Sequence, residues 1–126
     1  MLVKCINPFR NQVSKNHVYL VIEIMASIYD KYYSYRIIDN NGCPAIYNAD
    51  LFEIVSNKVI NSSIIVDKTM LIVSHDLIVN SSLNQRNMEG FWGCYFEDDD
   101  IEAKDILKSV VDDLSKHENI DLSDVF

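Results

Sequence analysis

Val18, Leu20, Ile22 and Ile24 alternate with Tyr19, Val21 and Glu23. A period of two sends successive side chains to opposite faces of an extended strand, and a helix cannot satisfy it. The pattern recurs at once, where Tyr33, Tyr35 and Ile37 alternate with Ser34, Arg36 and Ile38. Asn40-Asn41-Gly42 follows, and these residue types accept the positive φ that a tight turn needs. Cys43 to Tyr47 returns as a partner strand. Asn48-Ala49-Asp50 reads as a turn or a short 3₁₀ piece, Leu51 to Val55 as a further strand, and Leu2 to Ile6 as the opening one. About five short strands so closely spaced commit the first half of the chain to a curled antiparallel sheet.

Residues 59–66 and 70–79 are rich in Ile and Val and read as two more strands, while the polar stretch Asn80 to Asn87 reads as a loop. Helical spacing appears only near the end. Ile106, Leu107, Val110, Val111 and Leu114 form one apolar stripe, which predicts an amphipathic helix from near Asp99 to near His117. Asp99 with Glu102 three residues on is an acidic variant of the capping box, and neighbouring carboxylates suit the positive end of a helix dipole. The tail leaves two readings open: a loose end, or docking through Leu122, Val125 and Phe126. The expected class is α+β in a single domain, with a β part at 1–56, additional strands and a loop at 57–87, a C-terminal helical part at 88–117 and a tail at 118–126.

With 126 residues, 48% apolar and 24% charged, the chain is long enough to bury a core without staples. Cys5, Cys43 and Cys94 are scattered and odd in number, which predicts reduced thiols and a cytoplasmic location. The opening MLVKCINPFRNQ lacks a long apolar core, so no secretory signal is expected. Nor does any apolar run approach the length of a membrane span. Asn61-Ser62-Ser63 and Asn80-Ser81-Ser82 match a glycosylation pattern that carries no weight without secretion.

Charge is unevenly placed. Residues 1–88 hold seven acids and eight bases, whereas residues 89–126 hold twelve acids and three bases, net −9. Such a surface repels phosphate and anionic lipid, so neither nucleic acid nor membrane is an expected partner, and a basic protein is. Its centre is GFWGCYFEDDD, Gly90 to Asp100. The acids there read first as a helix start. A metal reading is poor, because consecutive carboxylates diverge and the alternate spacing and glycine of a calcium loop are missing. A surplus of carboxylates beyond what a cap needs favours a basic partner. Of the aromatics, Trp92 and Phe96 are expected in the core.

No motif for catalysis or cofactor binding is present. Three glycines cannot supply a phosphate-cradling loop, and GxSxG and HExxH are absent. His17, His75 and His117 do not stand at zinc-ligand spacing. A Cys94–His75 pair formed in space is the one nucleophile arrangement left open. The tyrosine-rich stretch Tyr29 to Tyr35, YDKYYSY, has too few bases near it for a nucleic-acid platform. The chain is expected to be a non-enzyme without metal or cofactor.

VYLVIEI, YRIIDNNG and AIYNADLFEIV together resemble a small bacterial SH3-like barrel pattern, matching it over Val18 to Ile24, Tyr35 to Gly42 and Tyr47 to Val55. The glycine-lysine pair usual before the first of these strands is replaced by Asn16-His17. GFWGCYFEDDDIEAKDIL resembles a stretch of small bacterial immunity proteins of contact-dependent and polymorphic toxin systems, through Phe91, Trp92, Tyr95, Phe96, Asp98, Asp99 and Ala103. The resemblance implies an SH3-like N-terminal half. It also implies an immunity protein that binds the C-terminal domain of a cognate toxin, a nuclease by preference, and masks its basic active-site surface. Glu97, Asp98, Asp99, Asp100, Asp105, Asp112 and Asp113 would carry that contact, with Tyr32 as a second one. The alternative is a regulatory adaptor that grips a basic protein or peptide.

Overall fold

The computed structural model describes residues 1–29 and 31–126; Asp30, inside the tyrosine-rich stretch, lies outside the described residues. The fold is α+β. Strands β1 (Leu2–Cys5), β2 (Val18–Ser27), β3 (Tyr33–Ile38), β4 (Pro44–Asn48), β5 (Phe52–Ser56), β6 (Ser62–Asp67) and β7 (Met70–His75) come first. Helices α1 (Asp76–Val79), α2 (Gly90–Phe96) and α3 (Ile101–Glu118) follow. Short 3₁₀ turns stand at Ala49–Leu51 and Ser82–Gln85.

The strands form one open sheet in the order β4-β3-β2-β1-β5, with β7 added to β2 and β6 to β7. Every strand pairing among the described residues is antiparallel. β2 organises the whole. Its first residues pair with β1 and its last five with β7, while β3 runs along the other edge.

A core lies on each side of β2. Tyr19 and Val21 join Val3, Tyr35, Ile37 and Phe52 on one side. Leu20 and Ile22 join Leu2 and the helices on the other. β2 is therefore buried on both faces, not half-buried as its alternation predicts. The alternation also breaks. Val21 faces Ile37 and Glu23 faces Arg36, so Ile22 and Glu23 together oppose one residue step of β3. Such a bulge inserts one residue and reverses the parity beyond it. Ile24 consequently packs with Tyr19 and Val21, where strict alternation would have put Glu23.

Helix α3 buries Leu107, Val110, Val111 and Leu114 of the stripe its spacing predicts; Ile106 is only partly buried against the core, and Ala103, one turn earlier, is fully buried. Each fully buried Leu or Val contributes about 1.5–3 kcal/mol. The helix starts one residue later than the Asp99 cap predicts. Asp99 turns the chain with a left-handed φ of 50°, and Asp100 is the N-cap, its Oδ1 accepting from the amides of Glu102 (2.8 Å) and Ala103 (3.2 Å). Glu102 then sits too early to bond back to the cap, and its carboxylate pairs with Arg86 instead. At the other end Asn119 is left-handed, and Ile120 donates back to the Ser115 carbonyl, which closes the last turn.

Residues 70–79, expected as one strand, divide at His75. Its Nδ1 accepts from the Leu77 amide (3.1 Å) and opens the single turn of α1. The expected loop at 80–87 contains a 3₁₀ turn that buries Leu83 completely. GFWGCYF is a helix of its own, with Phe91 and Cys94 three apart on the buried face. Trp92 and Phe96, four apart, share the opposite face; Trp92 is half-buried and packs against the core beside Phe91 and Cys94, whereas Phe96 is 49% exposed and lies outside the core expected of it. The tail docks through Leu122 and Phe126.

Candidate functional site

The helices cover only part of their side of the sheet. Beyond α2 an open groove of about 860 Å³ remains. Its floor is a row contributed by four strands: Met25 from β2, Ile46 from β4, Ile65 from β6 and Ile72 from β7. Met25 pairs with Ile72 and Ile72 with Ile65, so these three point the same way. Trp92 and Phe96 of α2 form the wall, with Met88 fully exposed at its foot. Asp67, Lys68, Glu89 and Glu97 also line it, three acids against one base.

A buried polar cluster joins floor to wall. Glu23 and Arg36 are 5% and 8% exposed. Arg36 Nε donates to Glu23 Oε1 at 2.9 Å, and its terminal nitrogen donates to the Pro44 carbonyl at 2.9 Å. Trp92 Nε1 donates to the same Glu23 oxygen at 3.0 Å, and Ser74 Oγ donates to the other at 2.6 Å. The guanidinium lies 3.9 Å from the Trp92 ring centroid, a cation–π stack. This cluster pins α2 to the sheet and fixes the groove wall. The bulge at Ile22–Glu23 makes it possible by turning Glu23 toward the helices.

The acids expected to bind a partner fall into separate groups. Glu97 lines the groove. Asp98 accepts from Asn87 Nδ2 at 3.0 Å, Asp99 pairs with Lys104, and Asp100 is spent on its cap and on Arg86 at 3.6 Å. Asp105 and Asp112 are exposed and seven residues apart on α3, hence on one helix face, with Lys108 between them. Asp113 is half-buried. His75 Nε2 lies 2.8 Å from its carboxylate and Asn61 Nδ2 2.9 Å, and these bonds hold its carboxyl below the usual carboxylate range. Tyr32, half-exposed, accepts from Asn48 Nδ2 at 3.1 Å and does not line the groove. Met25, Ile46, Ile65, Ile72 and Met88 were not singled out by pattern. Their convergence comes from the sheet topology, which sets β4, β2, β7 and β6 across one face, and no local spacing carries it.

Cys94 and His75 do not form a nucleophile–base pair. Cys94 Sγ donates to the Leu83 carbonyl (3.5 Å), burial pushes its thiol up, and both ring nitrogens of His75 are occupied. No group of three or more His, Cys, Asp or Glu side chains stands ready for a metal among the described residues. What the arrangement can do is bind: an apolar floor excludes water, and an acidic margin orients a cation-rich surface. No helix among the described residues is long and apolar enough to cross a membrane. The sequence matches no protein-family profile, and comparison with curated proteins and with solved structures returns no significant match.

Proposed function

We propose that this chain is a non-catalytic binding protein that neutralises a cognate toxin domain by covering its basic surface, as the resemblance to bacterial immunity proteins implies. The observation that carries the reading is the groove beside α2, where exposed Phe96, Met88 and Ile46 lie next to Glu89 and Glu97. Apolar anchors with an acidic margin suit a protein surface that itself holds phosphate, such as a nuclease active site. Glu97 and Asp98, with Asp105 and Asp112 on α3, supply the field that draws such a partner in, and Tyr32 is a second contact.

An SH3-like reading of residues 1–56 is supported by the strand order β4-β3-β2-β1-β5 and by the 3₁₀ turn just before β5. The extra β6–β7 hairpin and the helices then build the groove against that base.

The test is capture of the tagged protein from its native host, with the neighbouring reading frames included in the mass-spectrometric search. Recovery of the C-terminal domain of a large secreted protein supports the reading; recovery of no basic protein domain at low salt refutes it. With the partner in hand, Asp98, Asp105 and Asp112 reversed to Lys should slow association at least about tenfold at low ionic strength. Phe96→Ala should leave association intact and speed dissociation. An association rate that is unchanged and salt-independent in the triple reversal would sink the electrostatic part.

A further inference from the structure

We infer that the groove beside α2 receives an amphipathic α-helix of a partner protein, lying along α2 with its apolar face on the sheet and with two basic side chains, about two turns apart, against Glu89 and Glu97. The inference rests on the binding-protein reading above and names the segment that the groove takes. The floor residues come from β4, β2, β7 and β6. β2 and β7 are paired with a strand on both sides, so the middle of the floor offers side chains and no free peptide groups. A segment laid on such a floor loses water from its own backbone. An extended segment would leave its N–H and C=O groups unpaired there, whereas a helix bonds them internally. The protein already covers the rest of this face in that way, with α2 and α3. A groove of about 860 Å³ holds roughly two turns of a helix about 10 Å across, the length of the seven-residue α2.

Charge selects the partner. In the acidic run after α2, Asp98, Asp99, Asp100 and Glu102 are bonded within the chain, and they occupy the nearby bases Arg86 and Lys104. Glu89 and Glu97 stand at the two ends of α2, and their carboxylates hold no hydrogen bond or ion pair among the described residues. Glu23 and Arg36 cancel at the back of the groove. What remains in the lining is Asp67, Glu89 and Glu97 against Lys68. Trp92 and Phe96 lie between the two glutamates, so carboxylates bracket an apolar wall. A helix with an apolar stripe, and with Lys or Arg at i and i+7 beside it, meets wall, floor and both carboxylates at once. A second copy of this chain does not fit. Its net charge is −8, and α3, its long helix, keeps its apolar stripe inside.

The probe is a synthetic leucine–lysine peptide of about 18 residues written at helical period, titrated into the isotopically labelled protein at about 0.15 M salt. Saturable amide shifts should be confined to α2 and the floor strands, and the peptide should gain helical circular dichroism. The same composition written at period two cannot gather its leucines on one helix face and should bind at least about tenfold more weakly. Glu89→Lys with Glu97→Lys should weaken binding of the helical probe at least about tenfold, and so should Ile46→Asp. All three positions are exposed, so the circular dichroism of the free protein should not change. Asp105→Lys with Asp112→Lys makes the same charge change on α3, outside the groove lining, and should alter the affinity less than about twofold.

Absence of a saturable shift on α2 up to about 1 mM probe overturns the inference. Equal binding of the two peptides overturns the helix, and equal losses in the α2 and α3 charge variants overturn the site. The toxin reading fails separately. If capture returns no basic toxin domain while the helical probe still seats on α2, the groove keeps its helix and the toxin reading falls. If a captured toxin domain binds without shifting the α2 amides, neutralisation stands and the helix falls.

Discussion

Replacing Glu23 by Leu should destabilise this protein severely although it adds an apolar side chain to a buried site. The carboxylate accepts from Arg36, Trp92 and Ser74 together, and both members of the ion pair are over nine-tenths buried. Leucine matches the apolar volume, so little of the loss comes from packing. What remains is a guanidinium held by the Pro44 carbonyl and the Trp92 ring, plus an indole N–H and a hydroxyl without their acceptor. Removing one partner of a buried ion pair costs about 3–5 kcal/mol. Native stabilities run to about 5–15 kcal/mol, so about a fifth or more of the total is at stake. With a urea m-value of about 2 kcal/mol/M, the midpoint should fall by about 2 M.

The converse change separates charge from packing. Arg36→Met alone should also be costly, since it strips Glu23 of its counter-ion. The double variant Glu23→Leu, Arg36→Met should recover most of either loss, because two apolar groups of similar volume replace a buried pair with little net cost. The chain has a single tryptophan, and it is part of the cluster, so its fluorescence reports the unfolding directly. A loss below about 1 kcal/mol in Glu23→Leu, or purely additive losses in the double variant, would refute the claim that this cluster ties α2 to the sheet.

Two further changes probe the frame around the groove. Gly42 has φ +72°, and a Cβ there would overlap the Val125 carbonyl oxygen. Gly42→Ala should cost about 1–2 kcal/mol from backbone handedness alone and release the tail, seen as faster proteolysis after Ile120; equal tail protection in parent and variant would exclude this role. Asp113, held below the usual range by His75 and Asn61, is an acid with a depressed native pKa. The stability it contributes is present above the unfolded value of about 3.9 and is lost as pH falls through the lower native one. Asp113→Asn should therefore be less stable near neutrality and flatter in acid unfolding below that value; parallel curves would show that the His75–Asp113 link is idle.

What the sequence makes legible here is what repeats locally. Alternation in Val18–Ile24 and Tyr33–Ile38, and the 3.6-residue stripe of α3, involve neighbours a few residues apart, so the residues themselves carry the signal. The acidic end is legible for the same reason, as a composition. Its division is not: whether a carboxylate is spent on a cap, on Arg86 or on His75 depends on partners up to 38 residues away. The groove is harder still, since its floor comes from four strands and its exposure from where a helix stops. The decisive residue is Glu23. Read by alternation it belongs with Tyr19 and Val21, where a carboxylate would be buried against Phe52 and Tyr35 without a counter-ion, at prohibitive cost. That conflict is itself a signal. A lone acid on the buried parity of a strand needs either a partner or a bulge, and Arg36, the only base on the neighbouring strand, sits on the opposite parity to Tyr35 and Ile37. A single inserted residue resolves both at once: it carries Glu23 across to Arg36 and sets the pair where α2 can bring Trp92 down onto it.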